Sequence, residues 1–142
     1  MVLWLSVIAV GVVAVICWNL YRRAGASRIE ALTDKRRASS RMVSGAELVE
    51  GSRHLKVAMA LTNTDLFYEN ADMQASLDLQ WIHEVEYDNC LSTGAAVEGG
   101  KVLRIRCFGQ LFEFILPNDL VPRWHMMLPP RRRPDAPVAV TA

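Results

Sequence analysis

The residues that most often do chemistry are few in this chain, and they are poorly spaced for it. His54, His83 and His125 lie far apart and have no carboxylate or cysteine at a zinc-ligand spacing. Each reads as a surface or half-buried histidine. Cys17 sits inside an apolar run. Cys90 and Cys107 show neither a CxxC pattern nor a neighbouring histidine to activate a thiolate. Glu84, Glu86 and Asp88 alternate, so they share one face of a strand; that imitates a metal site but reads as a solvated acidic face. Gly99-Gly100-Lys101 is a fragment of a phosphate loop that opens a strand instead of a helix, and so reads as a turn. Nucleotide-binding glycine loops, nucleophile elbows, HExxH and calcium-loop patterns do not occur. The sequence therefore points to no catalytic residue, metal, cofactor or small-molecule substrate, and the expectation is a protein that is not an enzyme.

The most informative element is Val2 to Tyr21, VLWLSVIAVGVVAVICWNLY, which contains no charge. A helix of that length covers roughly 30 Å, the hydrocarbon thickness of a bilayer. Trp4 near one end, and Trp18 and Tyr21 near the other, are amphipathic rings suited to the membrane interface, and Arg22, Arg23 and Arg28 follow directly. Basic residues collect on the cytoplasmic flank. The expectation is a single-pass anchor in the inner (cytoplasmic) membrane, N-terminus out, with the bulk of the chain in the cytoplasm. A cleaved signal peptide is the alternative, with Ala24-Gly25-Ala26 as a small-residue cleavage run; the arginines after the apolar stretch speak against it. A buried core helix would show a polar face, and here only Ser6 and Asn19 are strongly polar.

The charge of the chain is segregated, although the net is only +1. From Arg22 to Arg41 seven basic residues face two acidic ones, whereas from Met42 to Pro130 six basic residues face twelve acidic ones. An acidic globule thus lies between a basic collar and a tail that opens on Arg131, Arg132 and Arg133. The collar suits the bilayer surface, and the globule should avoid anionic lipid and nucleic acid. Cysteines on the cytoplasmic side would be reduced; export would make a Cys90–Cys107 bridge available.

Four regions follow: a transmembrane helix over 1–22, a basic juxtamembrane linker or helix over 23–43, a globule over 44–130, and a basic Pro-rich tail over 131–142, with no periodicity and expected to be disordered when isolated. Ile29, Leu32 and Ala38 make a weak apolar stripe in the second region. In the globule, Leu55, Val57, Met59 and Leu61 alternate with Lys56, Ala58 and Ala60, as in a strand with one buried face. Leu66 to Tyr68, Ala75 to Leu79 and Trp81 to Tyr87 continue the strand pattern. Asn89 to Gly100 reads as a loop. Val102–Phe108 and Leu111–Leu116 flank Gly109-Gln110 as a hairpin. Leu120, Val121, Trp124, Met127 and Leu128 mark one face of a closing helix over Asn118–Leu128, with Asp119 as its cap and Pro122 in its first turn. Trp81 and Trp124 are expected as core or interface anchors.

From about Ser44 to Leu128 the chain resembles the bacterial pleckstrin-homology-like domains, GRAM-like ones included. Gly45-Ala46-Glu47 fits an early Gly-Glu region, Leu61-Thr62-Asn63-Thr64-Asp65-Leu66 a Leu-Thr-x-x-x-Leu hairpin, Ile82-His83-Glu84-Val85 an Ile-x-x-Val strand, and Trp124 the inward aromatic of the closing helix. The family often has Arg where Asp65 stands. The resemblance implies about seven antiparallel strands in two packed sheets, closed by a C-terminal amphipathic helix. Its lipid-binding members carry a basic cluster at the first loops, where this chain offers Arg53, His54 and Lys56. The motifs are mainly structural and support a fold more than an activity.

The functional expectation is an accessory, scaffold or assembly subunit of a larger membrane complex, with respiratory or photosynthetic assemblies as conceivable hosts. Partners would be integral membrane proteins and the bilayer. Lys35, Arg36, Arg37, Arg131, Arg132 and Arg133 are the candidate partner contacts. The alternative is a membrane-tethered module that senses a lipid headgroup or ligand.

Overall fold

A computed structural model describes residues 2–133, and the side chains from residue 7 onward. The span and the basic collar form one unbroken helix, α1 (Val2–Arg37), about 54 Å long at 1.5 Å per residue. Residues 23–37 are therefore helical and not a loose linker. Eight strands follow: β1 (Met42–Glu50), β2 (Arg53–Leu61), β3 (Asp65–Glu69), β4 (Gln74–Asp78), β5 (Ile82–Asp88), β6 (Gly100–Cys107), β7 (Gln110–Pro117) and, after the helix α2 (Val121–Met127), β8 (Arg131–Arg132). A 3-10 turn, Leu79–Trp81, bends the chain between β4 and β5, and Asp78 caps it by accepting from the Gln80 N–H.

All strand pairs are antiparallel, in the order β4-β3-β2-β1-β7-β6-β5-β8. The expected two sheets are one hydrogen-bonded sheet. Its halves meet only through Glu47–Val49 of β1 and Glu113–Ile115 of β7. The sheet curls sharply at this seam. Tyr68 on β3 and Phe114 on β7 stand three strand spacings apart, roughly 14 Å on a flat sheet. Their ring centroids lie 5.3 Å apart in an edge-on contact, so the two halves face each other across one core. Every strand from β1 to β7 feeds that core, and α2 closes it with Trp124 and Leu128. Trp124 is fully buried and is the largest such side chain.

Several boundaries differ from the sequence reading. β1 was hidden by its small inward residues: Met42, Ser44, Ala46 and Leu48 alternate in burial, but Ser and Ala carry little hydropathic signal. The β6–β7 turn is Phe108-Gly109, with Cys107 opposite Gln110. Both turn residues have positive φ, 52° and 73°, the pairing a two-residue primed turn needs. α2 starts later than Asn118 and takes Leu120 as its N-cap without a side-chain bond, so Asp119 does not cap it. Of the two readings for Trp81, core or interface anchor, the core one fails: it is 48% exposed and stacks on exposed Phe108. Cys107 pairs with Ile82, while Cys90 lies past Asp88, six residues further along β5. That separation is roughly 20 Å, far beyond disulfide reach.

Arg131 and Arg132 form a strand on the edge of β5, so the ordered globule runs past Pro130. Residues 134–142, the rest of the expected tail, lie outside the described residues.

Candidate interaction site at the base of the long helix

The outer face of the first half-sheet carries small residues along its middle, at Gly45, Ala58 and Ala60. Gly45, Ala58 and Glu69 lie in one cross-strand row, and Val43, Ala60 and Phe67 in the next. Small residues there let a helix approach the backbone, and α1 takes that place. A Cβ on Gly45 would lie 3.7 Å from Ile29 Cγ2. Ile29, Leu32, Thr33 and Arg36, spaced three, four and seven apart, form the covered stripe of α1; Ala38 stays exposed. This explains why β2 is buried on both faces from Val57 to Leu61, although its alternation suggested one.

The contact is fastened at its far end. Arg36 Nε donates to Glu69 Oε1 at 2.9 Å, and its guanidinium lies 4.3 Å from the centroid of the Phe67 ring. Glu69 is buried and Arg36 nearly so. An arginine can stack and bridge at once because its charge is planar and delocalised. Arg36, expected to meet a partner, is thus spent inside the molecule. Thr33, also buried, returns its hydroxyl to the Glu30 carbonyl at 2.7 Å.

The other anticipated contact residues divide. Trp18, Tyr21, Arg22, Arg23 and Arg28 are exposed along α1. The side chain of Trp4 lies outside the described residues. Lys35 and Arg37 are exposed, and Arg37 pairs with Asp34 at 3.2 Å. Arg131 is half-buried and donates to the Leu79 carbonyl at 2.9 Å. Arg133 donates through its side chain to the Gln80 carbonyl and through its backbone to that of His83. Only Arg132 of the three is exposed without such a bond. Arg131 and Arg133 therefore fasten the segment after Pro130 to the turn before β5 and to β5 itself.

Two depressions flank α1 where it leaves the sheet. One, about 490 Å³, is mostly apolar and lies between Ala26 and Ile29 of α1 and Ile115, Pro117 and Leu120. The other, about 250 Å³, lies between Tyr21 and Arg28 of α1, Lys56 of β2 and the Asn70–Asp72 turn. Neither was legible in the sequence, because both depend on how α1 seats on the sheet.

A second polar cluster lies on the outer face of the other half-sheet. Glu86, Arg104 and Glu113 stand in a row across β5, β6 and β7. Arg104 reaches Glu86 at 3.2 Å, Asp88 at 3.3 Å, the Cys90 carbonyl at 3.0 Å and Glu113 at 3.5 Å. Buried Glu113 accepts from the Ser92 N–H at 2.9 Å and the Ser92 hydroxyl at 2.6 Å. Glu84 pairs with Arg106 at 3.1 Å. Hydrogen bonds from the backbone N–H groups of Asn89 and Cys90, and then Arg104, hold the Asp88 carboxyl below its ordinary pKa. The alternating acids thus form cross-strand ion pairs, while Asp88, Arg104 and Glu113 hold the Asn89–Gly99 loop. Among the described residues, no group of three His, Cys, Asp or Glu is placed to hold a metal ion.

The fold is thus a long apolar helix, of a length and composition able to cross a bilayer, seated on a mainly-β antiparallel globule. Comparison with family models, curated proteins and solved structures returned no match.

Proposed function

We propose that this is a non-enzymatic, single-pass membrane protein that serves as an accessory or assembly subunit of a larger membrane complex. Its globule, of pleckstrin-homology-like type, faces the cytoplasm from the inner membrane. The observation that carries this reading is the unbroken α1: its apolar stretch is exposed, while its basic third is locked onto the sheet through Ile29 and the Arg36–Glu69 pair. Such a helix places the globule at a fixed height and rotation beneath the membrane. A fixed placement suits docking against neighbouring subunits, because little orientational freedom is lost on assembly.

Two features support partners at this junction. The exposed span offers Ala9, Gly11 and Ala14 for close helix contact, since apolar lipid removes the hydrophobic drive between helices. The apolar depression beside Ala26 and Ile115 continues that surface below the membrane. A partner helix running alongside α1 would meet both. Gentle detergent extraction of native membranes, followed by native mass measurement, tests the reading. Co-extraction of the chain with one or more integral proteins in fixed ratio is the expected result; a lone chain under all mild conditions overturns it.

A further inference from the structure

The smaller cavity beside α1 gathers exposed charged side chains from three elements. Arg28, Lys56 and Asp72 line it, and among the described residues none of the three has an ion-pair partner within 4 Å. Lys56 faces Glu47 across the β1–β2 ladder, and Glu47 is shared with His54 at 3.5 Å. Two positive groups and one negative group thus rim a cavity of about 250 Å³ whose walls are mostly apolar.

We propose that this cavity holds the headgroup of an ethanolamine phospholipid from the bilayer that α1 crosses. The inference rests on the membrane-span reading and is independent of any protein partner. Depth is the first argument. Tyr21 lines the cavity and closes the apolar run, so it marks the membrane interface. Arg28 follows seven residues later, about 10 Å down the helix. The polar layer on each side of a bilayer is about 5–7 Å thick. The cavity thus starts at headgroup level at Tyr21, and an arginine side chain is long enough to span much of the remaining distance from Arg28.

Charge is the second argument. A phosphodiester takes the guanidinium of Arg28 and the ammonium of Lys56, while a primary ammonium on the same headgroup donates to the Asp72 carboxylate. The Asn70 side-chain oxygen is already committed, accepting from the N–H groups of Asp72 and Met73 at 2.9 Å each; this fixes the turn and holds Asp72 on the rim. An anionic headgroup without an amine would leave Asp72 unpaired beside a phosphate. A choline headgroup has no N–H to donate. A multiply phosphorylated headgroup would bring more negative charge than two cations and one anion can balance.

Size is the third argument. The cavity is below the usual 300–1,000 Å³ of a small-molecule site, which suits a headgroup whose chains remain in the membrane. Ala24 and Gly25 keep the α1 wall of the cavity low on the side that faces the bilayer.

The test uses the full chain in vesicles of equal parts phosphatidylcholine, phosphatidylethanolamine and phosphatidylglycerol, extracted gently and analysed by native mass spectrometry for retained lipid. Phosphatidylethanolamine should be retained over each of the others by about tenfold, the scale of one charge-assisted contact. Asp72→Asn should remove that preference while retaining the fold. Arg28→Gln with Lys56→Gln should remove retention of all three lipids, and Arg22→Gln with Arg23→Gln, which lie outside the cavity, should leave the preference intact. Preferential retention of phosphatidylglycerol, equal retention of the three, or a preference unchanged in Asp72→Asn each overturns the proposal. A chain that alkaline carbonate washes from membranes overturns the span reading and this one together. A chain that binds lipid selectively but extracts alone overturns only the accessory-subunit reading.

Discussion

The indole Nε1–H of Trp124 donates to Ser44 Oγ at 2.9 Å inside the core, joining the closing helix to the first strand across eighty residues of sequence. Both groups are buried, so the bond satisfies a donor that would otherwise be stranded in an apolar surround. It also explains a serine on the inward face of β1. Ser44→Ala should cost about 1–3 kcal/mol, because it leaves the indole N–H unpaired. Trp124→Ala should cost about 3–5 kcal/mol, which approaches the whole stability of a small domain. Thermal melts followed by near-ultraviolet circular dichroism check both. A Trp124→Ala protein that melts cooperatively at the wild-type temperature would show that α2 is not part of the core.

The seating of α1 depends on Arg36 and Glu69. Glu69→Ala leaves Arg36 with its ring contact but without its carboxylate, and Arg36→Ala leaves a buried carboxylate alone. The second change should be the more costly, at about 3 kcal/mol, because the uncompensated charge has the less exposed position. In either variant trypsin should cut within Lys35–Arg37 faster than in the native protein. An unchanged cleavage rate would mean that Ile29 and Leu32 alone hold the helix.

Glu113 anchors the Asn89–Gly99 loop through Ser92. Glu113→Ala should free the loop and leave Arg104 with only its exposed partners and the Cys90 carbonyl. Amide hydrogen exchange at Ser92 should rise by about tenfold or more, while protection in β1 and β2 stays near native. Uniform loss of protection across the sheet would instead identify Glu113 as part of the global core.

Much of this fold could be read from the chain, and the omissions have physical causes. The alternation in β2 and in the β6–β7 pair is strong, because bulky Val, Leu, Met, Ile and Phe mark the inward face. Trp124 is recognisable because its neighbours fall on a helical period. β1 is obscured because Ser44, Gly45 and Ala46 are small for opposite reasons: Ser44 receives the indole, and Gly45 admits α1. The site at the base of α1 could not be read at all. Arg28, Lys56 and Asp72 come from a helix, a strand and a turn, and only the docking of α1 brings them to one cavity. Arg36 looked like another collar arginine until Glu69 and Phe67 stood beside it.

Alkaline pH should weaken the globule. Burial raises the Tyr87 hydroxyl well above its ordinary range, and its O–H donates to the Leu128 carbonyl at 2.8 Å. Burial also raises Tyr68, with help from the charge of Glu50, and the Cys107 thiol, with help from Asp78. These acids stay protonated in the folded chain at pH values where the unfolded chain has already lost its protons. The unfolded state then binds fewer protons, so stability falls as pH rises past the unfolded values of 9.0 for cysteine and 10.0 for tyrosine. The contribution is fully present below about pH 8. Melting temperatures measured from pH 7 to 11 should be flat at first and then decline. Tyr87→Phe should reduce the slope of the decline while lowering stability at pH 7, because it gives up the bond to Leu128. An equal slope in that variant would assign the decline to other groups.

The cysteines report which side of the membrane holds the globule, and the structure determines which of them can serve. Cys107 is 2% exposed, and burial keeps its thiol protonated, so it should resist alkylation in the folded protein on either side. Cys17 lies exposed in the apolar stretch of α1 that is long enough to cross a bilayer. Cys90, part-exposed at the start of the Asn89–Gly99 loop, is the useful probe. A membrane-impermeant maleimide applied to intact cells should leave Cys90 unlabelled, and permeabilising the inner membrane should expose it. Cys90→Ser should abolish the signal, which separates it from Cys17, and urea should add a second label at Cys107. Because Cys90 and Cys107 are too far apart to bridge, an exported globule would still present a free Cys90 instead of hiding it in a disulfide. Labelling of Cys90 in intact cells would therefore reverse the assigned topology directly.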